Sequence, residues 1–174
     1  PLPLVVPSYV GALIMLAAFG PKGLAQELLE GPFGLDRMPE IYGFFGSWLV
    51  LTLFTYPYVL LLATAAFKRL APAMAEAARG LGAGPFAAFF RATLPQLRPA
   101  ILAGALLCAL YVLSDFGVVS LMRFDTFTSA IYTAYRSFGN AAGAALLALM
   151  LIALSVVLLV FEHKLRGDPR AQAA

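Results

Sequence analysis

Apolar and polar positions alternate along this chain in long blocks rather than with the short periods of a soluble fold. Residues 1–21, 41–67, 99–114 and 139–161 contain no Asp, Glu, Lys or Arg. A helix rising about 1.5 Å per residue needs roughly 20 residues to cross a hydrocarbon core of about 30 Å. Three blocks reach that length, and the third does so once the apolar run Phe116–Met122 beyond Asp115 is added. The pattern predicts an all-α membrane protein with four spans, near Leu4–Phe19, Ile41–Phe67, Ala100–Met122 and from Gly139 onward. Pro7 is expected in the first turns of span one, where a missing N–H costs least, and Pro57 is expected to kink span two. Gly139 and Gly143 form a small-xxx-small pair that would let span four approach a neighbour closely. A short helix is expected near Gly23–Leu29 in the connection 20–40.

Composition agrees with the blocks. Hydrophobic residues make up 61% of the 174 and charged residues only 12%, about half the charge of an ordinary soluble domain. The start, Pro-Leu-Pro-Leu, lacks the basic region and cleavage site of a signal peptide, and is read as a point within a longer protein. Cys108 lies inside a span and fits a small core residue; with one cysteine there is no disulfide framework and no metal-ligand spacing.

The distribution of charge gives the orientation. Lys68, Arg69, Arg79, Arg91 and Arg98 lie between spans two and three, and Lys164, Arg166 and Arg170 follow span four. The other connections hold only Lys22, Arg37, Arg123 and Arg136. The excess places the 68–99 loop and the C-terminal tail in the cytoplasm. These basic residues are topology signals, and nucleic acid is not expected as a partner. No phosphate-binding G-x-x-x-x-G-K-[ST], H-E-x-x-H or G-x-S-x-G occurs. No catalytic residue, cofactor or metal is therefore expected, and an intramembrane enzyme would need more embedded ionisable groups than Asp115.

The segment Glu76–Pro95 is too broken by glycine and proline to span, and too apolar for an ordinary loop. Ala73–Arg79 favours helix. Gly80, Gly82 and Gly84 would allow positive φ at a reversal, and Gly84-Pro85 opens a second helix. Phe86, Phe89, Phe90 and Thr93 recur at helical spacing on one face, and Leu94-Pro95 is expected to end that helix. An amphipathic helix–turn–helix results, with exposed aromatics suited to a groove on another protein or to the lipid interface.

Glu76-Ala77-Ala78, three residues, Gly82, nine residues and Ala92-Thr93-Leu94-Pro95 resemble the EAA loop of binding-protein-dependent ABC importer permeases, with Ala92 where the pattern has Ile. "LPLVVPSYVGAL", "YPYVLLLATAAF", "SDFGVVSL" and "DTFTSAIYTAY" look most like the ferric-iron permeases of that family. The resemblance implies that residues 1–165 are the last four spans of a six-span core, with 68–99 as cytoplasmic coupling loop and 166–174 as linker or tail. It implies a bacterial inner-membrane location, a dimeric ABC ATPase partner, a periplasmic or lipid-anchored substrate-binding protein, a second permease half and surrounding lipid. Glu76, Ala77, Ala78 and Gly82 would seat the hairpin on the ATPase; Leu81, Phe86 and Phe89 are added as contacts from the amphipathic pattern. Ferric iron is the implied cargo, with spermidine/putrescine, thiamine, phosphonate or sulfate as alternatives and a non-transporting scaffold as the rival from another class.

Asp115 is the candidate for a translocation pathway, because charge at bilayer depth is costly and faces a cavity or a partner. The alternatives are that it caps a helix end or pairs with Arg123. Tyr111, Tyr132 and Asp125 would suit a hard cation that favours oxygen ligands. The coupling assignment predicts that Glu76→Lys or Gly82→Asp abolishes transport while membrane insertion stays intact. Wild-type uptake by either variant refutes it.

Overall fold

A computed structural model describes residues 2–21, 23–25, 41–70, 80, 84–137 and 139–166. Among them every regular element is helical. A 3₁₀ turn, Leu2–Leu4, precedes α1 (Ser8–Phe19). α2 covers Phe44–Arg69. α3 (Pro85–Ala88) runs through a π-helical segment, Phe89–Thr93, into α4 (Leu94–Ser114). α5 (Gly117–Leu121) and α6 (Phe127–Arg136) are short, and α7 covers Ala141–Arg166.

Among the described residues three helices are long and apolar enough to cross a membrane: Phe44–Arg69, Pro85–Ser114 and Ala141–Leu165. The last has mean hydropathy 3.0, against 1.8 for the other two, and leaves Leu146, Leu149, Ile152 and Val157 exposed, as lipid-facing positions require. α1 is shorter than the predicted first span. Its 12 residues rise only about 18 Å. The helix starts one residue after Pro7, which is its N-cap and not part of its first turns.

Two boundaries differ from the sequence-based expectation. The third span does not run on to Met122: the helix stops at Ser114, and Asp115 and Phe116 are non-helical. Leu94-Pro95 does not end the second hairpin helix, because Pro85–Ser114 is continuous. Asp115 favours a cap over a helix interior, whereas Pro95 lies inside the continuous helix, just after a π-helical segment at Phe89–Thr93.

Glycine roles also shift. Gly84 has φ −61° and ψ 161°, an extended N-cap for α3 and not a positive-φ turn, and Gly80 is helical. The positive-φ glycines among the described residues are Gly43 (φ 82°) and Gly139 (φ 61°). Gly139 therefore lies before α7, not on its packing face. Asn140 follows as the cap, with Oδ1 accepting from the Gly143 N–H at 2.8 Å. Of the predicted helix at 23–29, Leu24 and Ala25 are helical and 26–29 lies outside the described residues.

The chain divides into two compact units. One comprises residues 1–57 and 110–155. Its core is Ala12, Val50, Leu51, Val118, Val119 and Met122, with Met15, Leu16 and Phe54 packed on it. Gly11 lies against the Phe54 ring, and a Cβ at Gly117 would stand 2.9 Å from that of Tyr9, so α1 packs closely on both α2 and α5. Where lipid is as apolar as the side chains, such close approach and dispersion replace the hydrophobic driving force of a soluble core. The Gly43 N–H donates to the Met122 carbonyl at 2.6 Å and joins the start of α2 to the end of α5.

The other unit comprises residues 58–109 and 156–174. Here α2 and α4 meet at Gly104, where a Cβ would come 2.5 Å from the Val59 Cα. Backbone cannot yield as a flexible side-chain tip would. Gly104→Val should destabilise the folded protein by about 1–3 kcal/mol through overpacking. Gly84→Ala, at an N-cap where the added Cβ would meet no described atom within 4 Å, should cost less, through the weaker capping of Ala alone. Thermal aggregation of the two variants in detergent, measured side by side, tests the contrast.

Candidate functional site

The break after Ser114 exposes carbonyls at the end of α4 that no intrahelical donor reaches. In a membrane these must find partners within the protein. Ser114 Oγ donates to the Tyr111 carbonyl at 2.9 Å, and Thr128 Oγ1 donates to the Asp115 carbonyl at 2.8 Å. The Asp115 carboxylate is held at both ends. Oδ1 accepts from the Val118 N–H at 2.9 Å, which caps the first turn of α5. Oδ2 accepts from Ser8 Oγ at 2.9 Å, and Ser8 Oγ in turn accepts from the Tyr111 hydroxyl at 2.8 Å.

The hydroxyl protons thus run in one direction, from Tyr111 through Ser8 to Asp115. A carboxylate is acceptor-only, so it is the natural end of such a chain. On the far side, Thr126 and Thr128 hydroxyls lie 2.9 Å apart. Thr126 and Ser129 form a capping box that starts α6, with the Thr126 N–H donating to Ser129 Oγ at 2.8 Å. The beginning of α1, the α4–α5 break and the start of α6 are therefore tied to one acidic residue.

Asp115 and Tyr111 come together as pathway candidates, bridged by Ser8. Tyr132 does not join them. It stacks on Phe116 with centroids 5.0 Å apart and lines an open, largely apolar cavity of about 500 Å³ with Thr128, Tyr135, Ala144 and Ala148. Arg123 does not approach Asp115 as a partner; its guanidinium lies 4.7 Å from the Tyr42 ring centroid, on a backbone with φ 54°. Asp125 is exposed. Ser8 and Thr128 were missed by the sequence reading. The only local signal was a hydroxyl just after Pro7 at the head of an apolar run.

Of the coupling residues, Glu76, Ala77, Ala78, Leu81 and Gly82 lie outside the described residues. Phe86 and Phe89 are described, and both are exposed, at 81% and 41%. Phe90 is also exposed and meets Phe89 edge-on at 5.4 Å. Thr93, expected on that aromatic face, is buried instead.

A helical unit with an exposed aromatic helix joined directly to a span, and a broken helix pinned by part-buried hydrogen bonds, is the architecture of a multi-pass membrane protein. The family of the binding-protein-dependent transport system inner membrane component matches residues 2–166, and the chain belongs to it. The Fe(3+)-transport system permease protein FbpB 2 of Haemophilus influenzae is 38% identical over 71% of this chain and 24% of its own length. The molybdenum transport system permease protein ModB of Escherichia coli K12 is 32% identical over 99% of this chain and 76% of its own length. The chloroplastic sulfate permease 2 of Chlamydomonas reinhardtii is 28% identical over 99% and 47%. This chain thus spans about a quarter of the first relative and about three quarters of the second.

Removing the Ser8 hydroxyl leaves Asp115 Oδ2 and the Tyr111 proton without their shared partner. Ser8→Ala should cost about 0.5–2 kcal/mol, the range for one hydrogen bond in a membrane or for an orphaned buried group. Ser8→Ala and Asp115→Ala should be non-additive, because they break the same contact. A double-mutant cycle on denaturant unfolding in mixed micelles checks this, and strict additivity contradicts the network.

Proposed function

We propose that this chain is the membrane-spanning part of an ABC importer permease that moves ferric iron delivered by an external binding protein. Iron is favoured chiefly by the 38% identity to the Haemophilus ferric permease over 71% of the chain. The chemistry of the embedded groups is consistent with it. The blocks 41–67, 99–114 and 139–161 contain no Lys or Arg to hold an oxyanion, whereas Asp115, Tyr111 and, further off, Tyr132 offer the oxygen atoms that a hard cation takes.

On this reading residues 1–165 form the transmembrane part, 166–174 a cytoplasmic tail, and 68–99 the loop that seats on a dimeric ATPase. The excess of Lys and Arg in 68–99 supports its cytoplasmic placement. Glu76, Ala77, Ala78, Leu81 and Gly82 would carry the docking together with the exposed rings of Phe86 and Phe89. The connections 20–40 and 123–140 would then face the binding protein. ATP hydrolysis is the partner's; the permease's part is to convert closure of the ATPase dimer into movement of the spans.

A second cargo, molybdate, is favoured by a different observation: the Escherichia coli permease matches nearly the whole chain and three quarters of its own length. The two separate by uptake. Cells lacking the full-length gene, complemented with wild type, should regain uptake of radioactive ferric iron and not of molybdate or sulfate. Recovery of molybdate alone replaces the cargo and keeps the permease; recovery of none, with no ATPase co-purifying, removes the transport assignment.

A further inference from the structure

The join between the hairpin helix and the span is not a simple helix. Over Phe89–Thr93 the backbone is π-helical, with the Leu94 N–H donating to the Phe89 carbonyl five residues back. A π turn holds one residue more than the α turn it replaces. The burial pattern shows what that residue does. Ala88, Thr93, Leu97 and Gly104 are buried, at successive intervals of five, four and seven.

Intervals of four and seven keep one face of an α-helix; an interval of five in a regular α-helix would swing Ala88 about 140° off that face. The extra residue absorbs the swing. Ala88 stays in line with Thr93, Leu97 and Gly104, and Phe86 and Phe90 are left on the exposed surface.

Two nearby residues account for the turn. In a regular helix the Pro95 ring would meet the carbonyl of Arg91, four residues back, and supply it no donor. A wide turn just before the proline moves that carbonyl aside. One residue on, Gln96 Nε2 donates to the Ala92 carbonyl at 2.8 Å and supplies a donor from its side chain within the same turn.

We propose that the π turn at Phe89–Thr93, set by Pro95 and Gln96, is a phase joint that fixes which way the aromatic face of the coupling hairpin points relative to the span. Pro95 and Gln96 are positioning residues here, acting through the backbone between Ala88 and Leu94. This inference rests on the coupling role proposed above for the hairpin. Pro95→Ala removes the clash and lets the segment settle into α-helix, which turns the hairpin about 100° and displaces it about 1.5 Å along the axis. Deleting Ala92 in the Pro95→Ala background removes the surplus residue and restores the phase with no π turn at all.

The test has two arms on the full-length permease. In the first, spin labels on Gly84→Cys and Leu107→Cys, with Cys108→Ser, report the distance across the joint in lipid nanodiscs without the ATPase. Pro95→Ala should shift that distance and the Ala92 deletion should return it; an unchanged distance in Pro95→Ala overturns the proposal. In the second, unlabelled variants are assayed for uptake. Pro95→Ala and Gln96→Glu, which loses the donor, should lose most transport at normal membrane abundance. Gln96→Lys, which keeps a donor, and the compensating deletion should regain it. A distance shift with full transport, or a deletion that restores distance but not transport, also overturns it. If wild type itself transports nothing and recruits no ATPase, the coupling reading fails, and the distance arm alone decides whether Pro95 sets the joint.

Discussion

A helix that ends inside a packed unit leaves carbonyl groups that no intrahelical donor reaches, and one unit meets that demand around Asp115. The residue stops α4, caps α5 through Val118 and receives Ser8 from α1, while its own carbonyl takes the proton of Thr128. Any of these groups alone would be costly to bury. Together they satisfy one another across the break. The apolar core of Val50, Leu51, Val118, Val119 and Met122 then packs beside a junction whose polar atoms are already paired.

The same arrangement gives Asp115 a structural role. Both of its oxygens accept hydrogen bonds within the protein, which makes it the anchor of the α1–α4–α5 junction. A carboxylate oxygen has more than one lone pair, so each of the two can accept a further hydrogen bond. Tyr111 shares this position through Ser8, whereas Tyr132 belongs with Phe116 on the apolar cavity. The pathway candidates thus fall into one hydrogen-bonded group and one aromatic group.

In the other unit the governing constraint is helical phase. Gly104 brings the α4 backbone against Val59, and this contact fixes the buried face of the helix. Everything N-terminal to it must keep that face or lose contact, and the π turn is how Ala88 does so. Helix–helix association in lipid depends on such close fit because transfer of apolar surface from water contributes little there. A single surplus residue therefore matters more at this joint than the same insertion would in a solvated loop.

The charge-free blocks determined by themselves that the chain is helical and membrane-spanning, because only a helix of sufficient length satisfies its own backbone in lipid. The EAA spacing likewise disclosed the family, and the exposed rings of Phe86 and Phe89 were legible from helical periodicity. What the chain could not disclose was where long-range contacts override local pattern. Phe116–Met122 is as apolar as a span, but the helix stops before Asp115, which caps the next helix through Val118 and accepts a second hydrogen bond from Ser8, 107 residues away. Thr93 falls on the aromatic face by count, yet the π turn moves it to the buried one. Gly139 matched a packing motif and instead takes the positive φ that precedes α7. Local sequence sets which segments can be helices; hydrogen bonds and backbone contacts between distant segments decide where each one stops and which face it buries.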